Sequence, residues 1–263
     1  MRAKSAQRVT INVFSGAAGV AIWLATWQWF TTAGPLAGIR GIPTMTGAIS
    51  ESIGLLDNPL FWSAIGETIS MAFIGLLIAL VIGLALGLAT GMSGRTNEAL
   101  DPTIQFLRPL PAVVILPLAL LIFGPTRELG IFLAAFGAVW PIVVQVQAGV
   151  RDVDPVPLDV ARSLTLSWQK TQTAVVLPSA TPYILTGVRI AASAALLLAI
   201  GAGLLGGAPG LGRMILIAQE VANSELAFGL ILWSGVIGLA LAMLLKLAED
   251  LLVRGRRPME EIS

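Results

Sequence analysis

The side chains of this sequence best suited to gripping another molecule are concentrated in one polar island, residues 150–178, VRDVDPVPLDVARSLTLSWQKTQTAVVLP, set between long apolar runs. Asp159 and Arg162 offer opposite charges and Trp168 an amphipathic ring, a set suited to contact with a protein surface. No constellation for covalent chemistry is found. The sequence has no cysteine and no histidine, which removes thiolate nucleophiles, thiolate metal sites and the commonest proton shuttle. Few acids interrupt the apolar runs, and no pairing of nucleophile and base can be assembled from them. There is no G-x-x-x-x-G-K-[ST] phosphate cradle either, since the glycine-rich run Gly206–Gly212 carries no lysine. The chain is therefore read as a non-enzyme with no cofactor or metal of its own.

The elements that must present the island are membrane helices. Hydrophobic residues fill 56% of the 263 positions and charged ones 12%, and the mean hydropathy is +0.86, whereas soluble domains carry about a quarter charged residues. Uncharged intervals run Val9–Ile39, Thr68–Gly94, Pro109–Thr126, Leu129–Val150, Ile190–Gly212 and Leu226–Leu245. A bilayer core needs about 20 apolar helical residues, so these intervals predict an all-α polytopic membrane protein with six transmembrane helices. A barrel would need an alternation that is missing. With the N-terminus inside, twelve of the 16 lysines and arginines fall on the inner side, against Arg40, Arg127 and Arg213 outside and Arg189 within a span. That bias puts both termini and the island on the cytoplasmic face of the cell membrane. A net charge of +1 with scattered cations argues against a nucleic-acid partner.

The predicted organisation is an N-terminal transmembrane helix and external segment over 1–61, a core over 62–253 and a cytoplasmic tail over 254–263. Trp23, Trp27, Trp29 and Phe30 stand where a secretory signal needs small cleavage-site residues, so the first helix is retained and its tryptophans anchor the outer interface. Met45–Leu56 is amphipathic and is expected to form a short helix on the outer surface, with an ordered loop as the alternative. In the second span Gly75, Ala79, Gly83, Gly87 and Gly91 recur every fourth residue, as do Gly187, Ala191, Ala195, Ala199 and Gly203 in the fifth. Such stripes let a second helix approach closely, which makes Gly83, Gly87 and Gly91 predicted packing positions.

Ser93–Leu107 reads as a cytoplasmic turn. Pro109, Pro111 and Pro117 then remove backbone donors and break the third span, which a membrane tolerates only where protein or water covers the freed carbonyls. Gln145 and Gln147 are amides in the fourth span, and at least one must point into the bundle. Pro111, Pro117, Gln145 and Ser193 are the residues expected to border a solute pathway. Kinking for packing alone, and a satisfied interhelical hydrogen bond, are the plainer readings. Arg189, about two turns into the fifth helix, would snorkel inward or pair with a carboxylate, with anion binding the bolder alternative.

Within the island, Asp152, Asp154, Pro155 and Pro157 give a capped start, and Leu158–Leu164 follows with about two helical turns. Thr165–Ser167 breaks direction, Ser167 caps a second helix through Val176, and Pro178 is expected to end it. Asp159, Val160 and Ala161 are followed at fixed intervals by Thr165, Val175, Leu177 and Pro178. That spacing resembles the loop of binding-protein-dependent ABC importer permeases written E-A-A-x3-G-x9-I-x-L-P. Similarity to the nitrate, sulfonate and taurine branch of that family extends from Ile42 to Lys246. It includes Leu107–Pro111, Leu116-Pro117, Phe123-Gly124, the run Leu177–Arg189 and Gly210–Gly212.

The resemblance implies a permease subunit whose coupling helix, carrying Asp159, Val160, Ala161, Arg162, Leu164, Thr165, Leu166 and Trp168, docks on ATP-binding cassette ATPase subunits. ATP and magnesium would be bound there and not by this chain. It further implies a second permease subunit as homodimer or heterodimer, an extracytoplasmic solute-binding protein, and uptake by alternating access of a small solute such as a sulfonate- or nitrate-like anion. A secondary transporter or channel working without an ATPase is the rival reading.

The sequence departs from the family pattern at informative places. Asp159 stands for the usual glutamate, Val160 for the first alanine and Thr165 for the glycine. Threonine lacks the freedom of glycine to adopt positive φ, so the turn after the coupling helix is expected to be built differently. Gly203 stands where many members of the branch carry glutamate near the outer end of the fifth span. An importer with a second, different permease is the expectation drawn from these departures.

Overall fold

The computed structural model describes residues 18–39 and 41–254, with side chains placed as far as Leu251. Among them every regular element is helical: α1 over 18–32, α2 Met45–Gly54 with a 3-10 turn Leu55–Asp57, α3 Pro59–Met92, α4 Gly94–Leu107, α5 Ala112–Phe123, α6 Arg127–Arg151 and α7 Pro155–Ser163. A short α8, Trp168–Thr171, runs into a π turn, Gln172–Val176, and is followed by α9 Leu177–Gly206, α10 Leu211–Glu220 and α11 Ser224–Arg254. Pro59–Met92, Arg127–Arg151, Trp168–Glu220 and Ser224–Leu251 are long and apolar enough to cross a membrane, and α4 with α5 forms one more candidate bent by 88°. The first of the six expected spans lies partly outside the described residues; its described part is the helix 18–32.

The described residues separate into two compact units. One gathers the chain up to Phe61 with Ile215–Trp233, and the other runs Trp62–Met214 and resumes at Ser234. In the first, Thr44 caps α2 by accepting from the Gly47 amide at 3.1 Å. The Trp233 indole donates to the Ser52 carbonyl at 2.9 Å, which lays α2 on the opening turns of α11. Trp27 donates to the Pro43 carbonyl at 3.2 Å and packs against Phe228 at 5.6 Å, whereas Trp23 and Trp29 remain exposed.

The second unit is organised around α6. Lipid gives apolar helices no reason to associate, so close approach must come from small residues. A Cβ built on Gly75, Gly83, Gly87 or Gly91 would meet Ala134, Ile142, Val146 or Val150 at 2.6–2.9 Å. The glycine stripe of α3 therefore lies flush on α6. On the other side a Cβ at Gly187 of α9 would come within 2.9 Å of the Gln145 Cβ. Met71, Ala79, Ala134, Ala138, Ile142, Val146, Ala191 and Ala195 are buried in the resulting three-helix core. At the far end of α9 the chain reverses at Gly207, φ 72°, and the Leu211 amide donates to the buried Thr68 hydroxyl at 2.9 Å.

Two expectations are corrected here. Ser93–Leu107 is not a turn but a 14-residue helix, because Ser93 caps it by accepting from Thr96 at 3.3 Å and Gln147 of α6 pins it through Asn97 at 2.7 Å. Pro178 does not end the preceding helix. It follows directly on the π turn, and the helix carries on past it into the span, the wider turn accommodating the proline and its missing N–H.

Candidate functional site: the polar knob and the cavity beside the α4–α5 bend

The island folds as a compact knob. Asp154 caps α7 by accepting from the Val156 amide at 2.8 Å, and Pro155 supplies the pre-set first turn. Asp159 and Arg162 pair with each other at 2.8 Å on the exposed surface, a contact that contributes little to stability in water. Ala161 is buried and Leu166 half-buried, facing the bundle. On the outer side Val156, Val160 and Leu164 follow at four-residue intervals, 65%, 52% and 64% exposed, and Trp168 adds a ring 66% exposed. Val156, Val160 and Leu164 thus form an exposed apolar stripe along α7, and Trp168 adds an exposed ring at the start of α8.

The turn after α7 is built in the manner of glycine despite having none. The Leu166 amide donates to the Ala161 carbonyl at 3.0 Å and the Thr165 amide to the Arg162 carbonyl at 2.9 Å, the two bonds of a Schellman stop. Thr165 takes φ 48° to make them, so the expectation of a different turn is overturned. A β-branched residue in this region is strained, by about 1 kcal/mol or more relative to glycine. Thr165→Gly is accordingly expected to tighten the knob. Hydrogen exchange of the amides over Arg162–Leu166 should slow by about fivefold, in line with about 1 kcal/mol; unchanged or faster exchange would show that the turn is not strained.

The knob is tied to the spans behind it. Asp152, at the end of α6, accepts a hydrogen bond from the Tyr183 hydroxyl of α9. Gly149 makes room for that ring, since a Cβ there would lie 2.7 Å from the Tyr183 Cβ. Tyr183 is the sole tyrosine of the chain, a signal that sequence reasoning did not use. Deeper in the bundle Arg189 pairs with Glu249 of α11 at 2.9 Å, and the Thr186 hydroxyl reaches the same carboxylate at 3.5 Å. Of the readings open for Arg189, pairing with a carboxylate is the one found.

Beside the α4–α5 break lies a cavity of about 500 Å³ lined by Arg108, Leu110 and Ala112, by Gly137, Trp140, Pro141, Val144 and Gln145 of α6, and by Ile190, Ala194, Leu197 and Leu198 of α9. Pro141 leaves the Gly137 carbonyl without its helical donor, and both residues face this space, where water can cover the carbonyl. Of the expected pathway residues only Gln145 lines the cavity. Pro111 and Pro117 are exposed, with Leu110 and Ala112 lining the cavity on either side of Pro111. Ser193 is exposed and its hydroxyl turns back to the Arg189 carbonyl at 3.3 Å. Gln147 does not reach the cavity, being engaged with Asn97. Arg108 and Trp140 enter the site without having been singled out as pathway residues. Among the described residues no cluster of acids that could hold a metal ion is present.

Helices long and apolar enough to cross a bilayer, a further candidate span bent by 88° and a polar knob with exposed apolar groups are the features of a polytopic membrane protein. The fold is similar to that of a chain in the structure "Inward facing conformations of the MetNI methionine ABC transporter", with a TM-score of 0.64, 19% identity, and coverage of 77% of this chain and 100% of that one. Residues 79–258 match the family described as "Binding-protein-dependent transport system inner membrane component". The chain belongs to that family and, within it, to the nitrate and sulfonate branch of ABC-importer permeases. It is 31% identical over 240 residues to SsuC of Bacillus subtilis, assigned provisionally as an aliphatic sulfonates transport permease protein, covering 91% of this chain and 87% of that one. It is 33% identical over 234 residues to the bicarbonate transport system permease protein CmpB of Synechococcus elongatus, covering 85% and 84%. The nitrate import permease protein NrtB of Leptolyngbya laminosa is 34% identical over 185 residues, covering 70% and 66%.

Proposed function

We propose that this chain forms the solute pathway of an ABC importer and couples ATP hydrolysis by a partner to uptake of a small anion by alternating access. The observation that carries the reading is the stripe Val156, Val160 and Leu164 on α7 with the exposed Trp168 ring on α8. Apolar groups exposed together on a polar element call for a protein cover, and α8, which carries Trp168 and follows α7 after the turn at Thr165, runs through the π turn into α9. An ATPase subunit closing on nucleotide would draw the knob along and tilt the spans behind it. ATP and magnesium reside in that partner. A binding protein delivers solute on the outer side, and both termini lie in the cytoplasm. A second permease completes the pathway. It is a further copy of this chain or a different one, and the stoichiometry of the purified importer distinguishes them. Because Thr165 holds the glycine geometry, the coupling turn itself gives no reason to require a different partner. The substrate class is a small anion, in line with the sulfonate, bicarbonate and nitrate named for the relatives.

Replacing Leu164 with glutamate puts a charge in the stripe without touching a buried contact. In the importer reconstituted with its ATPase, uptake and binding-protein-stimulated ATP hydrolysis are expected to fall together, on the order of tenfold or more for an apolar anchor. The melting temperature of the isolated permease should stay within about 2 °C, as for surface changes generally. Full coupling in Leu164→Glu, or solute transport by this chain in liposomes without any ATPase, would defeat the proposal in favour of a secondary transporter or channel.

A further inference from the structure

Resting on the permease reading above, the geometry points to the cavity beside the α4–α5 break as a station for a small oxyanion on its way through the membrane, with Arg108, Trp140 and Gln145 as its ligands. Three properties of the lining agree. Its one formal charge is the guanidinium of Arg108, and no aspartate or glutamate lines it. The Trp140 Nε1–H, a group that can only donate, is buried and has no acceptor. Its ring is held in place by Phe136 one turn earlier, at 5.8 Å between centroids. An N–H left unmade in this way costs about 1–3 kcal/mol, which a turn of the indole toward the cavity would relieve once an oxygen is there to accept. Gln145 adds an amide on the next turn but one of the same helix.

The start of α5 adds to the same polarity. Ala112, its first residue, lines the cavity, and its N-cap Pro111 offers no side-chain acceptor. The positive end of a helix interrupted within the membrane favours negative charge. The remaining walls, such as Ile190 and Leu197, are apolar. The volume of about 500 Å³ lies within the range of small-ligand pockets, and leaves room for a short hydrocarbon tail behind an oxyanion head. A cation would meet Arg108 with no carboxylate to offset it.

The test uses the complete importer, with its ATPase and binding protein, in proteoliposomes, and reads uptake of methanesulfonate, nitrate and bicarbonate per ATP hydrolysed. Trp140→Phe keeps the ring and loses the donor; Arg108→Gln keeps the chain length and loses the charge. Each is expected to lower the amount of anion moved per ATP by about tenfold, in keeping with one unmade donor, and Arg108→Lys should restore most of it. An unchanged ratio in both Trp140→Phe and Arg108→Gln overturns the assignment, and so does a parallel fall of uptake and hydrolysis, which marks a structural role. Wild-type uptake of a neutral or cationic solute, with none of the three anions carried, overturns the anion class and leaves the permease reading standing. Wild-type transport that ignores ATP sinks the permease reading instead.

Discussion

Gly87→Val is expected to abolish the folded permease, giving little monodisperse protein in detergent. The added Cβ alone would sit 2.6 Å from the Val146 Cβ and 3.0 Å from the Val143 carbonyl. Neither atom is the free end of a flexible side chain, so relief requires the two helices to part. Parting them breaks the neighbouring contacts of Gly75, Gly83 and Gly91 as well, because all lie on one straight stripe. Ordinary overpacking costs about 1–3 kcal/mol; a clash shared along a whole seam belongs at the top of that range or beyond it. Gly66, on the same helix, has nothing within 4 Å of its would-be Cβ. Gly66→Val should therefore melt close to the wild type, which separates loss of space from loss of glycine. Transferring the bulk across the seam, with Gly87→Ala and Val146→Gly together, should recover a good part of the folded yield. A Gly87→Val protein with wild-type melting behaviour would show that α3 and α6 do not pack as described.

The second large effect concerns the ion pair inside the bundle, and its interest lies in an asymmetry. Removing Glu249 strands the Arg189 guanidinium, which cannot lose its proton. Removing Arg189 leaves the Glu249 carboxylate with the Thr186 hydroxyl still within reach as a donor, at 3.5 Å. The side chains are 41% and 22% exposed, so part of the penalty is relieved by snorkelling. A charged residue costs about 2.5–3.5 kcal/mol at the centre of a span on insertion scales; Glu249 lies near the end of its span, so Glu249→Ala is expected to cost less, on the order of 1–2 kcal/mol, with Arg189→Ala costing about half. The double variant should be more stable than Glu249→Ala alone, because it removes the stranded charge. Thermal melting of the four proteins in one detergent decides the matter. Equal losses for the two single variants would mean that the pair is solvated and does no more than a surface bridge.

Much of this was legible in the sequence because membrane packing writes in a small alphabet. The stripe Gly75 to Gly91 forecast a seam, and the structure supplies what composition could not, that the partner is α6 and not another helix. Pro109 and Pro111 forecast a break, and the chain bends by 88° there, between α4 and α5, whereas α5 runs unbroken through Pro117. The segment before them was misread. Ser93–Leu107 is too polar to look like a buried helix, but its cap at Ser93 and its tie from Asn97 to Gln147 lie in local chemistry and long-range pairing, neither of which hydropathy reports. Thr165 was judged on propensity, and tertiary context overrode it: Leu166 packs inward beside the buried Ala161, and the threonine bends to suit. Pro178 was read as a stop because the widened turn before it has no sequence signature. The cavity was half visible. Gln145 stood out as an amide among apolar neighbours, while Trp140 passed for one more hydrophobic residue until its nitrogen proved to be without a partner.

That widened turn has a further meaning for motion. Each residue of an α-helix advances the chain by about 100°, and a π turn lodges one residue too many. The faces of α8 and α9 are consequently out of rotational phase by about that angle. Gln172–Val176 stores the surplus at the point where the knob joins the span, and the Gln172 Oε1 inside it is buried without a partner. If a partner grips the knob as we propose, a pull on Trp168 would meet this joint before α9, and part of it would arrive as torque and not as tilt.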